Sequence, residues 1–543
     1  MSRLSVALLP LLSACTAPLS SATVEAPEHC GPLTEVLDEG AAPLRSPPAP
    51  AGLIYEIYVR SYQDSDGDGV GDLNGVRQRL DHLASLGVGT LWLMPVFQAS
   101  GVAGYGVTDY DTLAEEYGTP EQLRALVEEA HALDMAVILD IPFNHVDRTH
   151  PWFTSAEGDI ASPQRSWFRF DDEDVGDGRW FPSEQRGYYY GFFGADLPDL
   201  NYDNPDVAAE MARVFDAWLD AGADGYRLDA VRMLVEQDGV AEGTDASHAL
   251  LAELLASARS AHPDAWFLAE ASETTALGNV CWLGSDGAPE ADAVLDFPRR
   301  DAMLDAVETG DLSGLIDVVN TEVKLGGGAA MASFLGSHDV DRLPDVVEDP
   351  RARRALRVAQ FLMPGAPVLY YGEEIDMANS TVDTGQDYEQ RGPMQWDTGN
   401  NAGFTPTIPW FTVDPSFNEN TSVAVQQEER DSPLKLIQDL SCVRVQHGLD
   451  LDNTWRPVQA SGASTLSFIR DTEDGALLVV VNLSDRIEGD LQIEASGSFQ
   501  DLATGEAVEG EGLLDLGVLG PWGYRVLSGA SLGPCSLWDG SGA

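Results

Sequence analysis

Ala136-Val-Ile-Leu-Asp140-Ile-Pro-Phe-Asn144-His145 is the segment from which the architecture can be read. A β-prone apolar run closes on a carboxylate, a proline and then two polar side chains. The same design recurs along the chain, with helical patterns in between. Strand-like runs lie at Leu53–Val59, Thr90–Val96, Ala136–Ile141, Gly225–Leu228, Trp266–Ala269, Ala293–Phe297, Ala332–Leu335 and Pro367–Tyr371. Strands alternating with helices build parallel βα units. Eight of them predict a closed (β/α)8 TIM barrel, with an open doubly wound sheet as the alternative on pattern alone.

The polar residues cluster where the strands stop, which is where a βα barrel carries its chemistry. Leu197-Pro-Asp-Leu-Asn201, Gly225-Tyr-Arg227-Leu-Asp229, Phe267-Leu-Ala-Glu270 and Ser337-His338-Asp339 follow the Asp140 segment in order. An acid after a strand can simply cap the next helix or sit in a turn. That reading weakens when three acids come with an Arg and two His at strand ends. Arg227 stands two residues before Asp229 and so faces the same side of a strand. A cation there is expected to keep Asp229 ionised.

In this order the segments resemble the α-amylase superfamily of glycoside hydrolases, family 13, over roughly residues 50 to 528. The resemblance implies a retaining cleavage of α-glucosidic bonds by paired carboxyl groups. It makes Asp229 the nucleophile, Glu270 the acid/base and Asp339 the third carboxylate. Tyr105, Asp140, His145, Arg227, His338 and Arg391 become substrate-binding residues, with Tyr105 the platform on which a sugar stacks. Two positions depart from the family: Ser272 stands where Trp is frequent, and Ser337 where Asn is usual. The wide gap after the third strand, holding Trp152, Trp167, Phe168, Phe170, Trp180, Phe181 and Tyr188–Tyr190, corresponds to an inserted domain B at about 146–200 and is expected to form a binding wall. The barrel with this insertion would span 51–440. The short strands after it predict a C-terminal antiparallel β-sandwich domain at 441–530, ending in a tail at 531–543.

Asp64-Ser-Asp66-Gly-Asp68-Gly-Val70-Gly-Asp72 spaces oxygen donors at alternate positions with glycines between, a pattern for a hard cation such as Ca2+. The expected ligands are Asp64, Asp66, Asp68, the Val70 carbonyl and Asp72. Gly75 stands where an EF-hand places its closing Glu. The loop matches the first β–α loop of oligo-1,6-glucosidase-like members. Asn144 would belong to a second calcium site, weakened because Met233 replaces the usual His.

Within the superfamily, the segments 197–201 and Arg391-Gly-Pro-Met-Gln-Trp-Asp397 resemble oligo-1,6-glucosidases, trehalose synthases and intermediary α-amylases. Exo-acting glucosidases pair an Asp three residues before the stacking Tyr with the Arg of that second segment. Here the position is Val102, so Arg391 is expected to be free or paired with a domain B acid, and the cleft to stay open for endo cleavage. Exo-acting α-glucosidase, transglycosylase and trehalose synthase are the alternatives. A silent glucan-binding surface protein is the alternative of another class.

The termini point to export. Met-Ser-Arg3, an apolar run and Leu12-Ser-Ala-Cys15 resemble a lipoprotein signal peptide (1–15), with Cys15 lipidated and a cell-envelope location; unused, the signal implies secretion. Residues 16–50 read as a disordered spacer. Export permits disulfides among Cys30, Cys281, Cys442 and Cys535, including a Cys30–Cys535 bridge across the two ends. The net charge is −58 and only Lys324 and Lys435 are lysines. Such a surface excludes nucleic acid and anionic membranes as charge-driven partners, and membrane contact would come only through the lipid. A monomer acting on α-glucan or maltooligosaccharide is expected; the acidity suits a saline habitat that screens the self-repulsion, with a merely acidic secreted protein as the alternative.

Overall fold

A computed structural model describes residues 52–529, apart from 286, 382–387, 419, 450–453 and 473–474. The signal segment 1–15, the spacer up to residue 50, the 531–543 tail, and Cys30 and Cys535 with their expected bridge lie outside the described residues. Cys281 and Cys442 are each disulfide-bonded. Among the described residues no helix is long and apolar enough to cross a membrane.

Eight parallel strands close into a barrel in sequence order. They are β1 (Leu53–Ile57), β2 (Val88–Leu93), β3 (Ala136–Ile141), β4 (Gly225–Leu228), β5 (Trp266–Ala269), β6 (Ala293–Leu295), β7 (Met331–Ser333) and β8 (Ala366–Tyr370). Every predicted run overlaps one of them, and the second, seventh and eighth strands begin one or two residues earlier than predicted. The strands are apolar at nearly every position because both faces are covered. Ile54, Trp92, Ile138, Leu268, Leu295, Ala332 and Val368 fill the barrel interior. Their neighbours Tyr55, Leu91, Leu93, Val137, Leu139, Phe267 and Ala269 pack outward with the helical layer.

This alternation positions the site. Two residues after Ile54 the inward position is Glu56, after Ile138 it is Asp140, and after Leu268 it is Glu270. On β4, whose first residue Gly225 would meet the backbone carbonyl of Trp266 at 1.8 Å if it carried a Cβ, the inward positions are Arg227 and then Asp229. Close packing at one end of the barrel thus coexists with a charged cluster at the other.

Between β3 and β4 the chain builds a helix (Pro151–Gly158) and a small antiparallel sheet ordered 170–171, 188–190, 180–182. Several of the aromatic residues here pack against one another. Phe153, Phe168, Phe170 and Tyr189 contact one another edge-on or stacked, and Trp152 lies against Tyr110 and Trp167. An insertion this small needs its own core, and the aromatic rings supply it.

After the helix Pro433–His447 come two antiparallel sheets. The larger runs in the order 456–457, 465–472, 475–482, 524–528, 497–501, 507–510; the smaller pairs 488–493 with 514–519. The run 477–481 is apolar throughout because Leu478 and Val480 join the sandwich core, while Leu477, Val479 and Val481 join the barrel core.

Candidate active site

Arg227 is the centre of the cluster and is 1% exposed. Its Nη1 donates to Asp140 Oδ1 at 2.8 Å and Oδ2 at 3.0 Å, and to Asp229 Oδ1 at 2.8 Å. Nη2 lies 2.9 Å from Glu270 Oε2. One guanidinium therefore serves carboxylates from β3, β4 and β5. Glu270 Oε2 also accepts the Ala230 N–H at 3.0 Å, and Glu270 Oε1 accepts the Ser272 hydroxyl at 2.6 Å.

His338 closes the other side. Its Nδ1 bonds Glu56, and its Nε2 lies 2.8 Å from Asp339 Oδ2 and 2.6 Å from the Tyr105 hydroxyl. The Tyr105 ring stacks on the imidazole with centroids 5.3 Å apart, and its hydroxyl donates to Asp140 at 2.9 Å. Arg391 Nη2 donates to the His338 carbonyl at 3.1 Å and lies 3.5 Å from Asp339. Arg391 is therefore neither free nor paired with a domain B acid, as the sequence suggested. Asp339 is nearer and ionised, and takes it. Val102 leaves only its carbonyl in play, which accepts the Tyr58 hydroxyl at 2.6 Å.

The electrostatics follow from carboxyl groups outnumbering cations in a dry site. Burial, and then Glu270, Asp140 and Asp339, push Asp229 well above the usual carboxylate range against the pull of Arg227. Arg227 pulls Asp229 toward its charged form, as expected, but the guanidinium is divided among three acids, and burial together with the neighbouring carboxylates pushes the other way. Burial likewise raises Asp140 and Glu56. Burial opposes a charge on His338, but Asp339 and Glu56 lift the ring to about 10. Burial also works against the Asp339 charge, yet the His338 imidazolium holds that carboxyl well below its ordinary value.

Asp140 is fully buried and turned onto Arg227, Trp92 and Tyr105 rather than the cleft. It therefore stands behind the residues that face a substrate, a correction to its reading as a binding residue. His145 is 2% exposed, its ring 5.1 Å from that of Phe193, and burial lowers it to about 4, so it is neutral at pH 7. A small cavity beside the cluster is lined by Glu56, Arg227, Glu270, His338 and Asp339 together with Trp92, Phe297 and Phe334. Sequence reading missed Glu56. A Glu inside the apolar run Leu53–Ile57, in phase with Ile54, was the available signal.

The acidic loop after β1 brings Asp64, Asp66 and Asp72 together, with one oxygen of each within 4.8 Å of the others. Convergent carboxylate oxygens suit a hard divalent cation. Asp64 is held by the N–H groups of Asp66, Gly67 and Gly69 and by the Thr405 hydroxyl. Asp68 is not in the converging set: it is exposed and accepts the Val70 N–H at 2.8 Å. At Gly75 a Cβ would meet the Gln63 carbonyl at 1.8 Å, so no closing Glu fits. Asn144 is buried beside Asp199. Its amide atoms make no hydrogen bond of ordinary geometry.

The sequence model of the α-amylase catalytic domain matches residues 56–451. Alpha-amylase 3 of Dictyoglomus thermophilum is 31% identical over 446 residues, covering 80% of this chain and 85% of that protein. The trehalose synthase/amylase TreS of Mycobacterium tuberculosis is 30% identical over 502 residues, covering 81% and 83%. The oligo-1,6-glucosidase of Parageobacillus thermoglucosidasius is 28% identical over 510 residues, covering 80% and 90%. Among solved structures, the α-amylase from H. orenii aligns with a TM-score of 0.76 at 28% identity, over 88% of this chain and 99% of that one. This chain belongs to the α-amylase family of glycoside hydrolases, family 13, and is an enzyme of that class.

Proposed function

We propose that the enzyme cleaves α-1,4-glucosidic bonds of starch-like glucans and maltooligosaccharides internally, with retention. Asp229 attacks C1 of the sugar while Glu270 gives its proton to the departing glucosidic oxygen. Water then releases the glycosyl group as Glu270 takes a proton back. A guanidinium shared by both carboxylates draws them together, whereas an inverting pair stands about 6.5–9.5 Å apart to admit a water. Asp339 and His338 bind hydroxyls of the sugar held against Tyr105. Arg227 and Asp140 hold the pair in place.

The observation that carries the endo reading is the pairing of Arg391. It is engaged by His338 and Asp339 on its own side of the cleft, and Val102 offers no carboxylate with which to close a pocket beyond one glucose. Ca2+ is proposed in the loop of Asp64, Asp66 and Asp72, with the Val70 carbonyl as a further ligand; bound there, it would fix the loop after β1. Exo cleavage or transglycosylation is the second reading, favoured by the resemblance of the Arg391–Asp397 segment and by the trehalose synthase and oligo-1,6-glucosidase relatives. Digestion of amylose separates the two. The endo reading expects early loss of iodine staining with maltose and longer products, and slow action on p-nitrophenyl glucoside. Glucose as the sole early product, with late loss of staining, overturns it.

A further inference from the structure

We infer that Ser272 is a positioning residue that makes Glu270 a better proton donor; this rests on the acid/base reading of Glu270. The two oxygens of Glu270 have different surroundings. Oε2 faces Arg227 at 2.9 Å and the Ala230 N–H at 3.0 Å. Both are donors that cannot accept, so no proton can sit between them and Oε2. The transferable proton therefore has its place on Oε1, and the Ser272 hydroxyl meets that oxygen at 2.6 Å.

A serine hydroxyl both donates and accepts, and it rotates. It can receive the proton of the neutral acid and then donate to the carboxylate left behind. At 2.6 Å it lies in the range of an O–H to carboxylate bond, which is the stronger of the two. The contact therefore tightens as negative charge develops on Oε1, that is, as the glucosidic C–O bond breaks and the proton leaves. An interaction stronger in the transition state than in the ground state raises the rate of the chemical step.

The backbone is arranged to aim this hydroxyl. Ser272 has φ +47°, in the left-handed region that a serine seldom occupies. Such residues persist where their surroundings hold them. Here the Ser272 carbonyl accepts from Arg232 Nη1 at 2.8 Å, and Arg232 is itself held by Glu273 at 3.3 Å.

The test compares substrates that differ in how much proton donation they need. Maltoheptaose has a sugar leaving group and requires the acid, whereas α-maltosyl fluoride leaves with little help. Ser272→Gly removes the hydroxyl and also accepts the left-handed backbone, so it keeps the fold; Ser272→Ala removes the hydroxyl alone. Both should lower kcat on maltoheptaose by roughly tenfold or more, the range of a hydrogen bond to a charged group, with KM nearly unchanged and maltosyl fluoride altered less than about threefold. Ser272→Asn, which tolerates this φ and restores a donor, should recover part of the loss. Equal losses on both substrates, or a Ser272→Gly enzyme as fast as the parent on maltoheptaose, overturn the inference. Glu270→Gln is measured alongside. If it shows no such split between substrates, the reading of Glu270 fails; a split in Glu270→Gln without one in the Ser272 variants defeats the Ser272 inference alone.

Discussion

Replacing Arg227 by Met removes the one cation that touches Asp140, Asp229 and Glu270 together, at distances of 2.8–2.9 Å. The side chain is 1% exposed, so water cannot replace it. Breaking a buried ion pair from one side costs about 3–5 kcal/mol. The cost depends on pH, and its sign can be worked out. Asp140 and Asp229 are already raised by burial against the pull of Arg227, and without the guanidinium they rise further. A carboxyl raised in the folded state binds its proton more readily there than in the unfolded chain. Its contribution to stability is therefore fully present below the unfolded value near 3.9 and is lost as pH climbs through the folded one. Chemical denaturation of Arg227→Met and the parent at pH 5 and pH 8 should show a deficit that is larger at pH 8. Arg227→Lys keeps a charge but not the fork that reaches three acids, and should fall between the two. An equal deficit at both pH values would mean that Arg227 contributes packing over Trp92 and not charge compensation.

Asp229→Asn and Glu270→Gln should each lose nearly all turnover on maltoheptaose while melting close to the parent; near-normal rates from either would remove that residue from its assigned role. Chelation should lower the melting temperature by mass action, and Asp66→Ala should abolish that response. Unchanged melting, with no metal found in the protein by mass spectrometry, would refute the calcium assignment. His150 is buried and held down to about 4. Its stabilising contribution is present above its unfolded value near 6.5 and is lost as pH falls toward 4, so His150→Gln should flatten the loss of stability over that window. Asp199, raised to about 7 by burial, slopes the opposite way, and equal slopes for His150→Gln and the parent would count against the assignment.

The barrel was legible because a strand buried on both faces must be apolar throughout, and eight such runs stand out against helical spacing. The site acids were legible for a related reason: Asp140, Asp229 and Glu270 interrupt or end those runs in phase with inward-facing residues. Glu56 obeyed the same rule and went unread, since a single Glu within five residues gives too short a pattern to establish its phase. Which acid faces the cleft was not legible. Asp140 and Asp229 look alike in sequence, and only the fork of Arg227 shows that one stands behind the other. The pairing of Arg391 depends on how Gln390 and Arg391 reach the His338 carbonyl beyond β7, which no local pattern encodes. Which aromatic rings of the insertion pack inward was not legible, because a core for a small domain and a sugar-binding wall use the same residue types. Ser272 was visible only as a departure, and its meaning lies in a backbone angle.

The central claim is that Asp229 and Glu270 work as a retaining pair. Proton NMR of maltoheptaose hydrolysis, recorded before mutarotation equilibrates the anomers, tests it most directly. The account predicts that the first reducing ends released are α. Reducing ends released as β would show that water, and not Asp229, attacks the anomeric carbon.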